Sequence, residues 1–195
     1  ISMDKKMINS YDFDKTIYDG DASIDFYIYM LKKYKKIILL LPYQIYGMVS
    51  YKLKIKSKEY FKECFFSFLK ESKNIDEDVE CFWKKNESKI KKWYLNQIQK
   101  TDLIISASPY FLLEPIATKL KVNLIATEVD KKNGKFKSKN CYGEEKVRRF
   151  REEYKNTTIN EFYSDSMSDR PMMNISKKAF LVKGDVIEEI NLNEK

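Results

Sequence analysis

The spacing of hydrophobic positions changes along the chain. A short apolar run ends near Phe13, and apolar residues from about Ile24 to Gln99 then recur every three to four positions, as on helix faces. After Thr101, short apolar runs of strand length alternate with helical stretches. Alternating strands and helices are typical of a parallel sheet with helices on both faces. The pattern therefore predicts an α/β fold: a doubly wound parallel sheet with an all-helical cap inserted after the first strand.

The predicted elements divide the chain into two parts. A core is expected over 4–20 and 100–195, and a helical cap over 21–99. The predicted core strands are 6–13, 102–106, 122–126, 159–163 and 179–182. The other predicted core elements are helices at 110–120 and 144–154, a short helix after Pro171, and a hairpin turn at Asn133-Gly134.

Within the cap, single residues are expected to start the helices. Pro42 opens or kinks one helix, Ser57 caps a helix over 58–71, and Asp76 caps the next. The run from Ile37 to Val49 is apolar nearly all round and has lysines on both sides. It is interpreted either as a helix buried in the cap or as a surface that docks on anionic membranes.

Composition narrows the classes of function. The 195 residues carry a net charge of +8, but only four of the 37 basic residues are arginine. Because groove readers rely on the bidentate arginine fork, a lysine-rich solvated surface is favoured and no nucleic-acid partner is expected. The chain has no histidine, which excludes Ser–His and Cys–His catalysis and most zinc sites. Three widely spaced cysteines are typical of reduced thiols, and no apolar stretch is long enough to span a membrane, so the expected location is cytoplasmic.

The candidate chemistry begins with Asp12 and Asp14, where the first strand ends. Residues two apart in an extended segment face the same way, so the two carboxylates can converge. Mg²⁺ would relieve their repulsion, one carboxylate could attack phosphorus, and the other could move a proton. An ordinary solvated acidic turn is the alternative interpretation of the pair.

Other polar residues follow the later strands. Ser106 and Ala107 end the second predicted strand, Lys146 begins a helix, and Asp165 and Asp169 follow the fourth strand. Ligands of such sheets bind at the carboxyl ends of the strands, so these residues are expected to meet Asp12 and Asp14. Each also has a plainer interpretation, as a helix cap, a surface lysine or a polar turn.

Together these stretches resemble the four motifs of the haloacid dehalogenase (HAD) superfamily. The DxDxT motif matches Asp12 to Thr16, and Ser106, Lys146 and the pair Asp165 and Asp169 match the other three in order. The resemblance implies a Mg²⁺-dependent phosphatase in which Asp12 is the nucleophile and Asp14 the general acid and base. It further implies that Asp12, the Asp14 carbonyl and Asp165 hold the metal, and that Ser106, Ala107 and Lys146 bind the phosphoryl group. Asp169 would orient Lys146 or a metal-bound water, and Thr16 would support the site without contacting the substrate.

The helical insertion resembles that of the phosphoserine-phosphatase-like subfamily IB. The fourth motif departs from that group, because Ser166 and Ser168 stand where a glycine-rich sequence is usual. The motifs are more similar to those of HAD-type phosphatidylglycerophosphate phosphatases, which share the Ser-Pro pair at Ser108 and the Cys-x-Gly-x-Glu-Lys run at Cys141. The expected substrate is therefore a lipid-linked or apolar phosphate, with peripheral contact at the inner face of the membrane. The alternatives are a soluble metabolite such as phosphoserine or a sugar phosphate, and an inactive binding protein.

Overall fold

The computed structural model describes residues 6–192, and a six-stranded sheet forms its centre. The strands are β1 (Lys6–Tyr11), β2 (Leu103–Pro109), β3 (Asn123–Thr127), β4 (Thr157–Ser164), β5 (Ser176–Lys183) and β6 (Val186–Ile190). They stand in the order β3-β2-β1-β4-β5-β6, and only β6 is antiparallel to its neighbour. The predicted α/β fold with a parallel sheet is confirmed. The outer ends of the predicted core, residues 4–5 and 193–195, lie outside the described residues.

Helices cover both faces of the sheet. Alternate residues of β2 show this, because Ile104 packs in one hydrophobic cluster while Leu103 and Ile105 pack in another. The helices of the core are α6 (Tyr110–Leu120), α7 (Glu144–Glu153) and α8 (Arg170–Asn174). Helix α6 packs in the cluster that contains Ile104, and α7 and α8 pack in the other. The long apolar runs of the inner strands follow from burial on both faces.

Apart from two isolated β-bridges at Tyr18, the secondary structure between β1 and β2 is helical. We call this segment, residues 22–97, the helical insertion. Its helices are α1 (Ala22–Lys33), α2 (Leu41–Lys52), α3 (Lys58–Phe65), α4 (Ile75–Asn86) and α5 (Lys92–Gln97). Ser57 caps α3 as expected, because its side chain accepts a hydrogen bond from the Tyr60 N–H. The helix predicted over 58–71 changes to a 3₁₀ helix at Phe66–Glu71.

Two sequence-based details of the insertion are wrong. Asn74, not Asp76, caps α4, and its side-chain oxygen accepts a hydrogen bond from the Glu77 N–H at 3.4 Å. Asp76 lies in the first turn instead, where its negative charge still favours the helix N-terminus. The helix expected to run on to Trp93 ends at Asn86, and Trp93 lies in the separate helix α5.

Helix α2 buries its polar side and exposes its apolar side. Its buried residues are Gln44, Gly47 and Ser50, and Gln44 is held by hydrogen bonds with Tyr27 and the Phe65 carbonyl. Gly47 also faces inward, and only glycine fits there, because an added Cβ would lie 2.5 Å from the Cys64 Cβ. The outward side chains of α2, with those of the preceding 3₁₀ helix (Lys35–Leu40), form what we call the apolar surface: Ile38, Leu39, Leu41, Tyr43, Ile45, Tyr46 and Val49. The interpretation of this run as a helix buried in the cap is therefore wrong.

The other departures from the predicted elements are local. Strand β6 was not predicted, because its residues Val186–Ile190 show no regular alternation and form only the edge of the sheet. The hairpin turn at Asn133-Gly134 is present, but its two arms are not regular strands. They are joined by a single isolated β-bridge, between Val129 and Phe136. Helix α8 begins at Arg170, one residue before Pro171. Within the described part of the chain, no helix is both long and apolar enough to cross a bilayer.

The strand order places three strand ends side by side. β1 pairs with β2 on one side and with β4 on the other, with Tyr11 opposite Ile104 and Tyr163. The chain moves outward from β1 to β2 and β3 and then returns to add β4 on the opposite side. A crevice forms at such a switch point, at the carboxyl ends of the strands. The residues that follow β1, β2 and β4 therefore face a common space.

Candidate active site

A tight turn after β1 sets the positions of Asp12 and Asp14. The Asp12 N–H donates to the Tyr163 carbonyl of β4 at 2.8 Å, which keeps Asp12 at the end of the sheet. The chain then turns back, and the Phe13 carbonyl accepts hydrogen bonds from the N–H groups of Thr16, Ile17 and Tyr18. Phe13 itself is fully buried, and its packing anchors the turn from which both carboxylates project.

Lys146 links the carboxylates at two strand ends. It lies in the first turn of α7, and its Nζ donates to Asp12 Oδ1 and to Asp169 Oδ2, both at 2.8 Å. Its side chain is 2% exposed, so its charge is shielded from water and these two carboxylates supply its counter-charges. Ser164 also donates to Asp169 Oδ2 at 2.8 Å. The structure thus brings Asp12, Lys146 and Asp169 together.

Asp14 is oriented by two donors. Its Oδ1 accepts a hydrogen bond from the Ala22 N–H, the first residue of α1, at 2.6 Å. Its Oδ2 accepts one from the Ser108 hydroxyl at 2.5 Å. The Ser108 N–H in turn donates to Ser106 Oγ at 3.1 Å, so the turn after β2 is tied to the carboxylate after β1. In the sequence Ser108 was noted only as part of the Ser-Pro pair after the second motif, and this contact was not predicted.

The remaining predicted residues lie around the same space. Asp165 follows β4, and its N–H donates to Thr16 Oγ1 at 2.9 Å, so Thr16 fixes the backbone that carries Asp165. Ala107 lies between Ser106 and Ser108, and its carbonyl accepts hydrogen bonds from Lys62 and Thr127. Thr16 does not line the cleft itself.

A cleft of about 390 Å³ collects most of these side chains. It is lined by the residues predicted from the sequence and by several that were not predicted. The predicted lining residues are Asp12, Asp14, Ser106, Ala107, Lys146, Asp165 and Asp169, and the unpredicted ones include Lys15, Asp21, Lys58 and Tyr142. Lys15 and Tyr142 stand at variable positions of two motifs, and Asp21 and Lys58 stand in none, so no local pattern distinguishes these four residues.

The cleft holds more carboxylates than its buried lysine can neutralise. Burial raises the pKa of Asp12, Lys146 opposes that rise, and the neighbouring Asp169 adds to it. The pKa values of Asp14 and Asp165 are also raised, in both cases mainly by burial. Burial alone would lower the pKa of Lys146, but the carboxylates of Asp12 and Asp169 outweigh burial and raise it. Lys146 is therefore cationic, and the site favours further positive charge.

The donor set fits a hard divalent cation such as Mg²⁺. Carboxylate and carbonyl oxygens are its preferred protein ligands, and it usually retains several waters. Among residues 6–192, no three carboxylate or thiol side chains converge on one point. The resemblance requires only two side chains, from Asp12 and Asp165, together with the backbone carbonyl of Asp14. Both carboxylates line the cleft, and like-charge repulsion contributes to their raised pKa values, which a cation would relieve.

A second cavity, of about 270 Å³, adjoins the cleft and shares Asp14, Asp21 and Ala107 with it. Its other walls come from the helical insertion and from Ser108. The insertion supplies Ser23, Ile24, Phe61, Lys62, Phe65 and Phe66. Lys62 was not predicted, because in the sequence it is one lysine among many on an amphipathic helix.

Comparisons with known proteins agree with this architecture. A family model described as haloacid dehalogenase-like hydrolase matches residues 10–174. A protein of unknown function from Bordetella pertussis Tohama I has a similar structure, with a TM-score of 0.70, 17% identity, and coverage of 90% of this chain and 89% of that chain. A phosphoserine phosphohydrolase-like protein from Francisella tularensis subsp. tularensis SCHU S4 has a TM-score of 0.54 and 15% identity, with coverage of 90% of this chain and 85% of that chain. A probable phosphoserine phosphatase from Vibrio cholerae has a TM-score of 0.59 and 13% identity, with coverage of 90% of this chain and 55% of that chain.

No curated protein matches the chain. The solved structures share so little sequence with it that they show a common fold and no more. The family model is the stronger finding, because it spans most of the chain and contains every residue predicted for the site. The chain therefore belongs to the haloacid dehalogenase-like hydrolase family.

Proposed function

We propose that the protein is a Mg²⁺-dependent phosphomonoester hydrolase that works through an aspartyl phosphate on Asp12. The observation that carries the proposal is the buried Lys146, which bridges Asp12 and Asp169 in a cleft that Asp14 and Asp165 also line. A buried cation beside a carboxylate nucleophile stabilises the negative charge that spreads over the phosphoryl oxygens in the transition state. The family to which the chain belongs consists of hydrolases, which is consistent with this reaction.

The reaction divides into two displacements. In the first, an Asp12 oxygen attacks phosphorus, the bond from phosphorus to the leaving oxygen breaks, and Asp14 gives its proton to that oxygen. In the second, Asp14 takes a proton from water, the water oxygen attacks phosphorus, and inorganic phosphate leaves Asp12. Lys146, the Ser106 hydroxyl and the Ala107 N–H would hold the phosphoryl oxygens. The raised pKa of Asp14 suits a group that must carry a proton in one step and accept one in the next.

The residues proposed to hold Mg²⁺ are Asp12, Asp165 and the backbone carbonyl of Asp14. When bound, the metal would neutralise the attacking carboxylate and the phosphoryl oxygens. Asp169 positions Lys146 by an ion pair, and Thr16 positions Asp165 by accepting its backbone N–H. We further propose that the core, 4–20 and 100–195, carries this chemistry and that the cap, 21–99, selects the substrate.

Chelation tests the class of reaction. We expect hydrolysis of para-nitrophenyl phosphate in Mg²⁺, loss of nearly all activity in excess EDTA, and recovery when Mg²⁺ is restored. Release of inorganic phosphate and of para-nitrophenol should be measured in parallel. Full activity in EDTA would contradict the metal. No turnover on a broad panel of phosphate esters, together with no rise in Tm on adding Mg²⁺ and beryllium fluoride, would favour an inactive binding protein.

The apolar surface supports a more specific proposal about the substrate. Leu39 is 75% exposed and Ile45 is 51% exposed, and large contiguous apolar areas usually mark a contact with another surface. Lysines at 32, 35, 36, 52, 54 and 56 are exposed on both sides of this run. Each lysine near an anionic bilayer contributes about 1 kcal/mol of attraction. We propose that this surface docks peripherally on the inner face of an anionic membrane.

The substrate would then be a phosphate monoester with an apolar or lipid portion, and phosphatidylglycerophosphate is the most specific candidate. The rival is a soluble metabolite such as phosphoserine or a sugar phosphate. We expect kcat/KM on phosphatidylglycerophosphate in mixed micelles to exceed that on soluble esters by at least about tenfold. A kcat/KM on a soluble ester that exceeds the value on phosphatidylglycerophosphate by the same factor would contradict the lipid assignment.

A pair of matched variants tests the docking. We expect the protein to sediment with phosphatidylglycerol vesicles at low salt. Ile45→Ser should weaken that binding by several fold, because it removes apolar area that docking on the membrane would bury. Val186→Ser is the control, because Val186 is 58% exposed on β6, away from the apolar surface. Equal vesicle binding by both variants, or binding to neutral vesicles as strong as to anionic ones, would contradict the docking proposal.

A further inference from the structure

Lys62 brings a positive charge into the cavity beside the cleft without an acidic partner. It projects from α3 and lines the 270 Å³ cavity. Its Nζ donates to the Ala107 carbonyl at 3.0 Å and to Asn140 Oδ1 at 2.9 Å, and both acceptors are uncharged. Within the described residues, no carboxylate oxygen lies within 4.0 Å of this ammonium. An ammonium has three N–H donors, so one remains for a ligand.

The surroundings make this charge unfavourable in the free protein. Burial, with a smaller contribution from the nearby Lys58, lowers the pKa of Lys62 to about 8, against weaker attraction from Asp14 and Asp21. Lys62 is partly buried, and a cation withdrawn from water normally has a hydrogen-bonded anionic partner. Asp21 does not serve as one, because it makes no ion pair with Lys62, and its carboxylate instead caps α1 by accepting the Ile24 N–H at 3.0 Å. The missing partner is therefore to be sought in a ligand.

The position of Asp14 shows which part of a ligand would reach Lys62. Asp14 lines both the cleft and the second cavity. If Asp14 protonates the leaving oxygen, that oxygen lies at the junction, the phosphoryl group lies in the cleft, and the leaving group extends into the second cavity. The walls there are Ile24, Phe61, Phe65 and Phe66, which would contact apolar atoms. Lys62 is the cationic residue among the lining residues of this cavity.

We propose that Lys62 is a specificity residue that binds a second anionic group, carried on the leaving group of the substrate beyond an apolar portion. The inference rests on the proposed phosphatase reaction and names the substrate class within it: a phosphomonoester with a further carboxylate, phosphate or phosphodiester. The hydrogen bond from Lys62 to Ala107 ties this recognition to the turn that would hold the phosphoryl group. A charge-assisted hydrogen bond of this kind is worth about tenfold to a hundredfold in affinity.

Turnover and binding are measured separately on matched ligands. For turnover, kcat/KM is compared between hexyl phosphate and the analogue with a terminal carboxylate. For binding, which needs no turnover, calorimetry in Mg²⁺ compares hexylphosphonate with its carboxylate analogue. Lys62→Met keeps most of the unbranched apolar side chain and removes the charge. Lys70→Met is the control, because Lys70 is exposed on the same insertion. Tm is recorded for each variant to detect misfolding.

The wild type and Lys70→Met are expected to favour the carboxylate ligand by about tenfold or more in both measurements, and Lys62→Met to lose that preference. A purely structural role of Lys62 would weaken both ligands equally and leave their ratio unchanged. An unchanged ratio in Lys62→Met, or no preference in the wild type, overturns the proposal. A third outcome separates the two proposals. If neither ester is hydrolysed, but the wild type binds the carboxylate phosphonate more tightly and Lys62→Met does not, the anion subsite is supported and the phosphatase proposal is contradicted.

Discussion

Asp12→Asn is expected to abolish turnover, with a fall in kcat of about 10⁴-fold or more. An amide oxygen is a poor nucleophile, so the covalent step has no substitute on the chain. The fold should survive, because the amide oxygen of the new side chain can still accept the hydrogen bond from Lys146, and Asp169 still neutralises that lysine. Steady-state hydrolysis of para-nitrophenyl phosphate and trapping of a phosphorylated protein by acid quench measure the effect.

The control for this variant is Asp19→Asn. Asp19 lies a few residues further along the same loop, its residue is exposed, and it does not line the cleft. It should retain activity within about twofold, since surface substitutions away from special features have small effects. An Asp12→Asn protein with the native Tm and near-parental turnover would remove Asp12 from the nucleophile role.

Asp14→Asn is expected to reduce activity by about 10²-fold to 10⁴-fold, and the reduction should depend on the leaving group. An alkoxide leaves poorly without a proton, so hydrolysis of an alkyl phosphate should fall most. The para-nitrophenolate ion leaves readily, so formation of the aspartyl phosphate from para-nitrophenyl phosphate should be much less affected. Burst kinetics separate that first step from the later hydrolysis, in which Asp14 also acts.

The surroundings of Asp14 can accommodate the amide that Asp14→Asn introduces. The amide oxygen can still accept the Ala22 N–H, and the amide nitrogen can donate to the Ser108 hydroxyl, which donates to Asp14 in the parent. A loss equal for alkyl and para-nitrophenyl esters in the first step would contradict the assignment of Asp14 as the general acid. Asp19→Asn again reports any general effect of removing a charge from this loop.

Elements could be predicted from the sequence where residues close together in the chain specify them. The inner strands could be placed because strands buried on both faces are continuous apolar runs, and β2 and β3 lie within a few residues of the predicted ranges. Ser57 could be recognised as a cap because capping involves residues three apart in the chain. β6 could not be recognised, because an edge strand is buried on so small a part of its surface that its sequence carries little alternation.

In the candidate active site, too, some features could be predicted from the sequence and others could not. The sequence placed Asp12, Asp14, Ser106, Lys146 and Asp165 at element ends, and the rule for parallel sheets predicted that such ends share a space. Their individual roles remain predictions that the experiments above test. The resemblance implied that Asp169 orients Lys146 or a metal-bound water, but nothing in the sequence indicated that Lys146 also contacts Asp12, since that contact requires α7 to pack against the sheet in one particular position.

The α/β class, the helical insertion and the acidic end of β1 could be predicted from the sequence, because periodicity and turn chemistry depend on neighbouring residues. The tertiary structure set which side of α2 faces outward: Gly47 lies close against Cys64 of α3, and Gln44 forms hydrogen bonds with Tyr27 of α1 and with the Phe65 carbonyl of α3. It also decided that Lys62, rather than another lysine, reaches the second cavity. Its partners Ala107 and Asn140 lie 45 and 78 residues away in the chain, and no local pattern encodes a contact made across that distance.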